Sequence, residues 1–237
     1  MANSSSSSFF SSFFGSSSNK VPPSPRPSVP SNYSTFPTMA TGLSMVLIVD
    51  KSGSMEGICE KMRESINAFI LTQQKEKADG STFTLVMFSS SVEIVIDKKP
   101  LSEVKPLEKE DYVASGSTAL FDAIGTTVER FKDESNVLLV IVTDGEENAS
   151  RKFTNKKEIS LLVADCQEKK KWNVVYLSCD IDTFRQGEAM HMTNSGHSSN
   201  AQVTKSTMGN YISTNLNSAV TSYRQGRTSI NDNLNTQ

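Results

Sequence analysis

From residue 44 onward, short runs of apolar residues alternate with segments in which apolar residues recur at helical spacing. Strands buried on both faces read as continuous apolar runs, whereas helices that cover a sheet show a single apolar stripe. The alternation therefore predicts an α/β fold in which a mostly parallel sheet lies between two layers of helices. The predicted strands are residues 45–49, 82–88, 92–96, 137–142 and 174–177.

Apolar residues three and four positions apart mark the helices between these strands. The predicted helices are residues 56–75, 120–131, 159–166 and 208–223. Only Ser89, Ser90 and Ser91 separate the second and third strands, so these two are expected to form a hairpin with an antiparallel edge strand. The predicted fold is a Rossmann-like, doubly wound sheet with that one antiparallel edge strand and helices on both faces. Residues 193–199, rich in Ser, Asn and Gly, are predicted to form a loop.

The first 42 residues differ sharply in composition from the rest of the chain. They contain 14 serines, six of the eight prolines and no acidic residue. Such a segment has too few apolar side chains to form a packed core. The sequence therefore predicts a Ser/Pro-rich, extended N-terminal arm at residues 1–42, a folded domain at 43–226 and a polar C-terminal tail at 227–237.

Four phenylalanines stand out in the arm: Phe9, Phe10, Phe13 and Phe14. Three interpretations are open. The arm is a flexible linker, or it docks these phenylalanines into a neighbouring subunit and becomes ordered there, as disordered segments do when they fold on binding. The third interpretation is a targeting segment, although a transit peptide usually carries more arginine than this segment has.

Composition argues against several classes of function. A net charge of −2 gives no general attraction to nucleic acid or to an anionic membrane. Three scattered cysteines without CxxC spacing fit free thiols in a reducing compartment better than a disulfide framework or a zinc site. No apolar run reaches the roughly 18 residues that a membrane-spanning helix requires. The protein is therefore expected to be soluble and intracellular.

Three loops beside the predicted strands and helices carry side chains with oxygen atoms. Asp50, Ser52 and Ser54 follow the first strand at alternate positions, Thr118 precedes a helix, and Asp144 follows the fourth strand. In an open α/β sheet, ligands collect at the carboxyl ends of the strands. Carboxylate and hydroxyl oxygens are the ligands that suit Mg²⁺ and Mn²⁺. The sequence therefore predicts a site for a hard divalent cation at this edge.

In this order, the three loops resemble the metal-ion-dependent adhesion site (MIDAS) of the von Willebrand factor A (VWA) domain family. The resemblance spans roughly residues 43–226. It is closest to a compact subgroup found in bacteria, their phages and large DNA viruses. The residues that carry this likeness are 118–125, which read TALFDAIG, and 143–150, which read TDGEENAS.

The resemblance implies the VWA fold and a role for each ligand. Asp50 is expected to anchor Mg²⁺ or Mn²⁺, with Ser52 and Ser54 bound to the ion directly. Thr118 is expected to bind directly or through water, and Asp144 through water. Because two carboxylates merely balance the charge of the ion, a partner protein is expected to supply an Asp or Glu. This favours a non-enzymatic protein–protein interaction module, tethered by its arm into a larger assembly.

Two other functions are weighed against this hypothesis. The alternative is a structural component of a viral particle, such as a minor capsid protein of a virion, because the similar compact proteins occur in phages and large DNA viruses. A metal-dependent hydrolase is less favoured. An aspartate-nucleophile phosphatase has a second aspartate where this chain has Ser52. The two histidines, His191 and His197, lie in or beside a polar loop.

Overall fold

The computed structural model describes residues 42–77 and 79–236. The strands in these ranges are β1 (Ser44–Asp50), β2 (Thr82–Phe88), β3 (Val92–Pro100), β4 (Val137–Thr143), β5 (Asn173–Ser178) and β6 (Ser198–Gln202). They form one sheet in the order β3-β2-β1-β4-β5-β6. β2 and β3 pair antiparallel, and the other neighbours pair parallel.

Helices cover both faces of the sheet. They are α1 (Cys59–Lys75), α2 (Leu120–Phe131), α3 (Lys156–Lys170), α4 (Ile181–Ala189), α5 (Lys205–Tyr211), α6 (Asn217–Arg224) and α7 (Ile230–Asn235). One face is covered by α1, α5, α6 and α7, and the other by α2, α3 and α4. The predicted fold class is therefore confirmed. None of the helices in the described part of the chain is long and apolar enough to span a membrane.

The two helical layers meet β1 on opposite faces. Met45, Leu47 and Val49 pack toward α1, whereas Val46 and Ile48 pack toward α2. Each of these side chains is at most 1% exposed, and burying one contributes roughly 1.5–3 kcal/mol. A strand buried on both faces reads as an unbroken apolar run. The end of β1 is therefore a rigid support for the polar residue that follows the run, Asp50.

The parallel register aligns the carboxyl ends of β1 and β4. Val49 pairs with Val142, so the next residues, Asp50 and Thr143, lie side by side at the ends of their strands. The chain leaves the sheet at these positions, and the two following loops meet at this edge. We call this edge the carboxyl edge of the sheet.

The sequence pattern does not predict the edge strand β6 or the helix α4. The predicted loop at residues 193–199 ends in the first residues of β6, which pairs with β5. β6 has no apolar run, and polar contacts hold it instead. The backbone N–H of Asn200 donates to Asn194 Oδ1 (2.7 Å), and its side-chain amide donates to the backbone oxygen of Phe184 in α4 (3.1 Å). α4 itself was also outside the predicted helices.

The C-terminal segment differs from the prediction as well. The expected polar tail at residues 227–237 is wrong for Ile230–Asn235, which forms α7. Ile230 and Leu234 lie four residues apart and pack into the core with exposures of 0% and 6%. The side chain of Ser229 caps the helix by accepting a backbone hydrogen bond from its first turn (3.1 Å). Two apolar residues are too few to give a periodic signal, so tertiary packing determines this helix.

The arm, apart from Gly42, lies outside the described residues. The predictions for Phe9, Phe10, Phe13 and Phe14 therefore stay predictions.

Candidate metal centre

The carboxylate of Asp50 has a fixed orientation at the end of β1. Its Oδ1 accepts a hydrogen bond from the backbone N–H of Ser52 (2.7 Å), and its Oδ2 accepts one from the hydroxyl of Thr143 (2.7 Å). The backbone oxygen of Asp50 accepts a third hydrogen bond from the phenol of Tyr112 (2.5 Å). Asp50 is fully buried. Three separate parts of the chain therefore set its position.

A chain of side-chain hydrogen bonds links the loop after β1 to the loop after β4. The hydroxyl oxygens of Ser52 and Ser54 lie 3.0 Å apart. The Ser54 hydroxyl donates in turn to Asp144 Oδ1 (2.6 Å). Ser52 and Asp144 are buried, with exposures of 2% and 6%. The side chains of these two loops thus form one connected polar group at the carboxyl edge.

The third loop, which precedes α2, joins the same group. The backbone N–H of Thr118 donates to Asn148 Oδ1 (2.9 Å), which ties this loop to the one after β4. A Cβ atom placed on Gly145 would lie 3.1 Å from the hydroxyl oxygen of Thr118 and 3.8 Å from that of Ser54. The Thr118 and Ser54 hydroxyls therefore both adjoin Gly145. The structure brings all five predicted ligand residues together: Asp50, Ser52, Ser54, Thr118 and Asp144.

Asp50 and Asp144 bring two carboxylates close together at this site. Burial raises the pKa of Asp50, hydrogen bonds from Ser52 and Thr143 lower it in part, and the nearby charge of Asp144 raises it again. The negative charge of Asp144 disfavours the ionised form of Asp50, and a cation between the two carboxylates relieves that cost. The site therefore favours an added positive charge.

Lys205, the first residue of α5, supplies one positive charge from within the chain. Its ammonium group forms an ion pair with Asp144 Oδ2 (2.5 Å) and donates a hydrogen bond to the backbone oxygen of Ser54 (3.0 Å). The hydrogen bond to Asp144 raises the pKa of Lys205. At neutral pH the lysine is therefore charged and directly beside two of the predicted ligands.

The donor set fits a hard divalent cation. All five side chains offer oxygen, and each carboxylate oxygen has two lone pairs, so the single hydrogen bonds to Asp50 leave lone pairs for an ion. Within residues 42–77 and 79–236, no cluster of three or more His, Cys, Asp or Glu is arranged to hold a metal. Hydroxyl oxygens would therefore have to complete the coordination shell, which suits Mg²⁺ or Mn²⁺ better than a softer metal.

The sequence did not identify several residues that position the site. Thr143 stands in the quoted motif, but its hydrogen bond to Asp50 follows only from the strand register. Glu147 accepts hydrogen bonds from the backbone N–H of Phe121 (2.8 Å) and the hydroxyl of Ser150 (2.6 Å), and so fixes the loop after β4 against α2. No sequence pattern indicates that Lys205 belongs to the site, because only the tertiary fold brings α5 to this edge.

Comparison with known proteins supports the fold. Residues 45–147 match the family model of the von Willebrand factor type A domain. The pilus adhesin SpaC from Lactobacillus rhamnosus GG, in its open conformation, superimposes with a TM-score of 0.61 at 13% identity, over 78% of this chain and 31% of that chain. A von Willebrand factor type A protein from Catenulispora acidiphila gives a TM-score of 0.50 at 13% identity, over 73% of this chain and 41% of that chain.

A third solved structure, the ArnB paralog VWA2 from Sulfolobus acidocaldarius, gives a TM-score of 0.50 at 15% identity, over 74% of this chain and 45% of that chain. No curated protein matches the sequence. The chain thus spans less than half the length of each of these three structures, and at such identities the likeness shows the fold. Residues 45–147 are thus similar to the von Willebrand factor type A domain, and the solved structures share the fold of the described residues.

Proposed function

We propose that this chain is a VWA domain whose MIDAS binds Mg²⁺ or Mn²⁺ and, through the ion, an acidic residue of a partner protein. The observation that carries the proposal is the hydrogen-bonded series from Ser52 through Ser54 to Asp144, beside the buried carboxylate of Asp50. Thr118 adds a hydroxyl from a third loop. Hydroxyls and carboxylates held in this way form a preorganised set of oxygen ligands.

Each side chain has a distinct role in the proposal. Asp50 anchors the ion, because two hydrogen bonds fix its carboxylate. Ser54 directs its proton to Asp144 and accepts the proton of Ser52, so that one lone pair of its hydroxyl remains free for the ion. The bound ion would supply a positive centre for a carboxylate. Asp50 and Asp144 carry two negative charges, which only balance the two positive charges of the ion. The site as a whole therefore does not repel the carboxylate of a partner's Asp or Glu, which can bind directly to the ion.

We propose no catalytic role for the site. Burial raises the pKa of Cys179 to about 12, so that the thiol stays protonated at neutral pH and is a poor nucleophile. Burial also raises the pKa of Tyr112 well above its ordinary value, and its hydroxyl donates to the backbone of Asp50. Neither group is suited to proton transfer near pH 7. These properties argue against hydrolysis that uses either side chain as nucleophile or base.

Mn²⁺ allows a direct test, because this paramagnetic ion relaxes the protons of water bound to it. The full chain loaded with Mn²⁺ would be titrated with N-acetyl-aspartate amide, and with N-acetyl-asparagine amide as the uncharged control. We expect only the aspartate to displace bound water and lower the water relaxation rate. If Mn²⁺ binds but neither compound changes the rate, the carboxylate-binding role is contradicted. If Mn²⁺ does not bind, the metal site itself is contradicted.

We extend the proposal to the arm at residues 1–42. Phe9, Phe10, Phe13 and Phe14 are proposed to dock into a neighbouring protein and hold the domain in a larger assembly, such as a viral particle. Support comes from the sequence alone: four large apolar side chains lie within six positions, and each contributes roughly 1.5–3 kcal/mol when buried.

Co-sedimentation with the native assembly tests the arm. The full chain with these four phenylalanines replaced by serine should no longer co-sediment. Asp144→Ala, which leaves the arm intact, should co-sediment normally. Normal co-sedimentation of the phenylalanine variant would contradict a docking role and leave the arm as a linker.

A further inference from the structure

Lys205 lies at the end of a helix where a positive charge is least favourable. It is the first residue of α5, and the N-terminus of a helix carries a partial positive charge. Thr204 and Thr207 already form a capping box at this end of the helix, in which the backbone N–H of Thr204 donates to the Thr207 hydroxyl (3.1 Å). The positive charge of Lys205 therefore does not stabilise α5.

The contacts of Lys205 indicate a different role. Its ammonium group lies 2.5 Å from Asp144 Oδ2 and 3.0 Å from the backbone oxygen of Ser54. Asp144 and Ser54 are two of the five proposed metal ligands. The side chain of Asp144 has no exposure to solvent, whereas that of Lys205 is 47% exposed. The ammonium group therefore reaches a buried carboxylate from the solvent side of the candidate metal centre.

We propose that the Lys205 ammonium group and the divalent cation compete for the carboxylate of Asp144, so that this lysine sets the metal affinity of the site. The inference rests on the proposed metal site. Both cations require negative charge from the same carboxylate, and two positive charges a few ångströms apart repel each other. The flexible four-carbon stem of lysine allows the ammonium group to move into solvent as the ion binds. Metal binding thus carries the cost of breaking this ion pair.

A purely structural ion pair makes the opposite prediction. If Lys205 only fastened α5 to the loop after β4, its removal would lower the stability of the fold and leave metal affinity unchanged or weaker. Competition predicts a gain of metal affinity instead. The direction of the change in affinity therefore separates the two explanations.

Calorimetric titration with Mn²⁺ measures that direction. Lys205→Met keeps the length of the side chain without its charge and should bind Mn²⁺ about tenfold more tightly, since one like charge beside a partly exposed ion is removed. Lys205→Arg keeps the charge and should bind as the wild type does. Lys169→Met is the matched control, because Lys169 pairs with Asp165 within α3 and its loss changes the net charge equally.

Amine labelling of the wild-type chain gives a second readout that needs no substitution. Lys205 should react faster with an acylating reagent when Mn²⁺ is present, because the ion displaces its ammonium group from Asp144. Equal Mn²⁺ affinity of the wild type and Lys205→Met, or unchanged labelling of Lys205 with Mn²⁺ bound, would overturn the competition. If neither the wild type nor any variant binds Mn²⁺, the proposed metal site fails and the inference fails with it.

Discussion

The hydroxyl of Ser54 donates a hydrogen bond of 2.6 Å to Asp144, which lies 90 residues further along the chain. The bond joins the loop after β1 to the loop after β4, and it is possible because these strands are parallel neighbours. A shift of one residue in their register would turn the side chains to the opposite face. The candidate metal centre therefore depends on the register of the sheet as well as on a local motif.

Replacing Ser54 by alanine removes a proposed ligand together with its hydrogen bond to Asp144. Because the ion loses an oxygen ligand and Asp144 loses a hydrogen bond that orients it, we expect Mn²⁺ affinity to fall by about tenfold to a hundredfold. Ser54 is exposed, so the fold should persist. Calorimetric titration gives the affinity, with Ser102→Ala, an exposed serine beyond β3, as the control. Unchanged affinity in Ser54→Ala would contradict its role as a ligand.

The fold itself should not depend on the metal. Apolar side chains form a core on each face of the sheet, and none of the five proposed metal ligands belongs to either core. We expect EDTA to lower the Tm by about 5–10 °C through ligand linkage alone, because a hundredfold excess of ion over Kd stabilises the fold by about 2.7 kcal/mol. Thermal unfolding followed by circular dichroism tests this. Loss of the cooperative transition in EDTA would mean that the ion is structural.

Asp79 and Arg224 form a bidentate ion pair at the edge of the sheet opposite the candidate metal centre. The Nε–Oδ2 distance is 2.9 Å and the Nη2–Oδ1 distance is 3.1 Å. Burial alone would raise the pKa of Asp79, but hydrogen bonds from Arg224 and Ser81 outweigh it and lower that pKa. A lowered carboxyl pKa contributes stability above the unfolded value of about 3.9, and this contribution is lost as the pH falls through the folded value.

Asp79→Asn should therefore be less stable than the wild type at neutral pH, and the difference should shrink below about pH 4. Urea unfolding across this range measures it. Asp182→Asn is the control, because the exposed pair of Asp182 with Arg185 is worth about 0–1 kcal/mol. A difference between Asp79→Asn and the wild type that stays constant down to about pH 3 would contradict the assignment.

Ile230→Ala tests whether α7 belongs to the folded domain. Ile230 is fully buried, so its truncation should cost about 2–5 kcal/mol of unfolding free energy. Ile181 offers the same substitution at a side chain that is 45% exposed, where the loss should be small. Urea unfolding of both variants gives the comparison. Equal stability of Ile230→Ala and Ile181→Ala would mean that residues 227–237 are a tail outside the folded domain.

The sequence predicts those elements whose own residues are buried on a sheet. The apolar run at residues 82–88 gives both ends of β2, because burial on two faces leaves a continuous signal. β3 extends beyond the predicted residues 92–96 to Pro100, through a register irregularity and a positive φ at Lys98 that alternation does not indicate. β6 and α7 escape prediction because contacts with distant residues hold them.

The same distinction applies to the candidate metal centre. Strand ends predict that Asp50 and Asp144 converge, because parallel strands deliver their carboxyl ends to one edge. The spacing adds Ser52 and Ser54, and the resemblance to a known family adds Thr118. Thr143 acts on Asp50 through the register of β1 against β4, and Lys205 reaches Asp144 only through the packing of α5. Such contacts depend on tertiary structure and leave no local pattern. The metal-binding role of the five side chains remains a prediction.

Calorimetric titration of the full chain with Mn²⁺ tests the central claim most directly. The wild type should bind the ion, and so should Asp165→Ala, which removes an exposed carboxylate from α3. Asp50→Ala, verified as folded by its thermal transition, should show no measurable binding, because the anchoring carboxylate at the end of β1 is gone. Equal binding by Asp50→Ala and the wild type, or no binding by the wild type, would contradict the account.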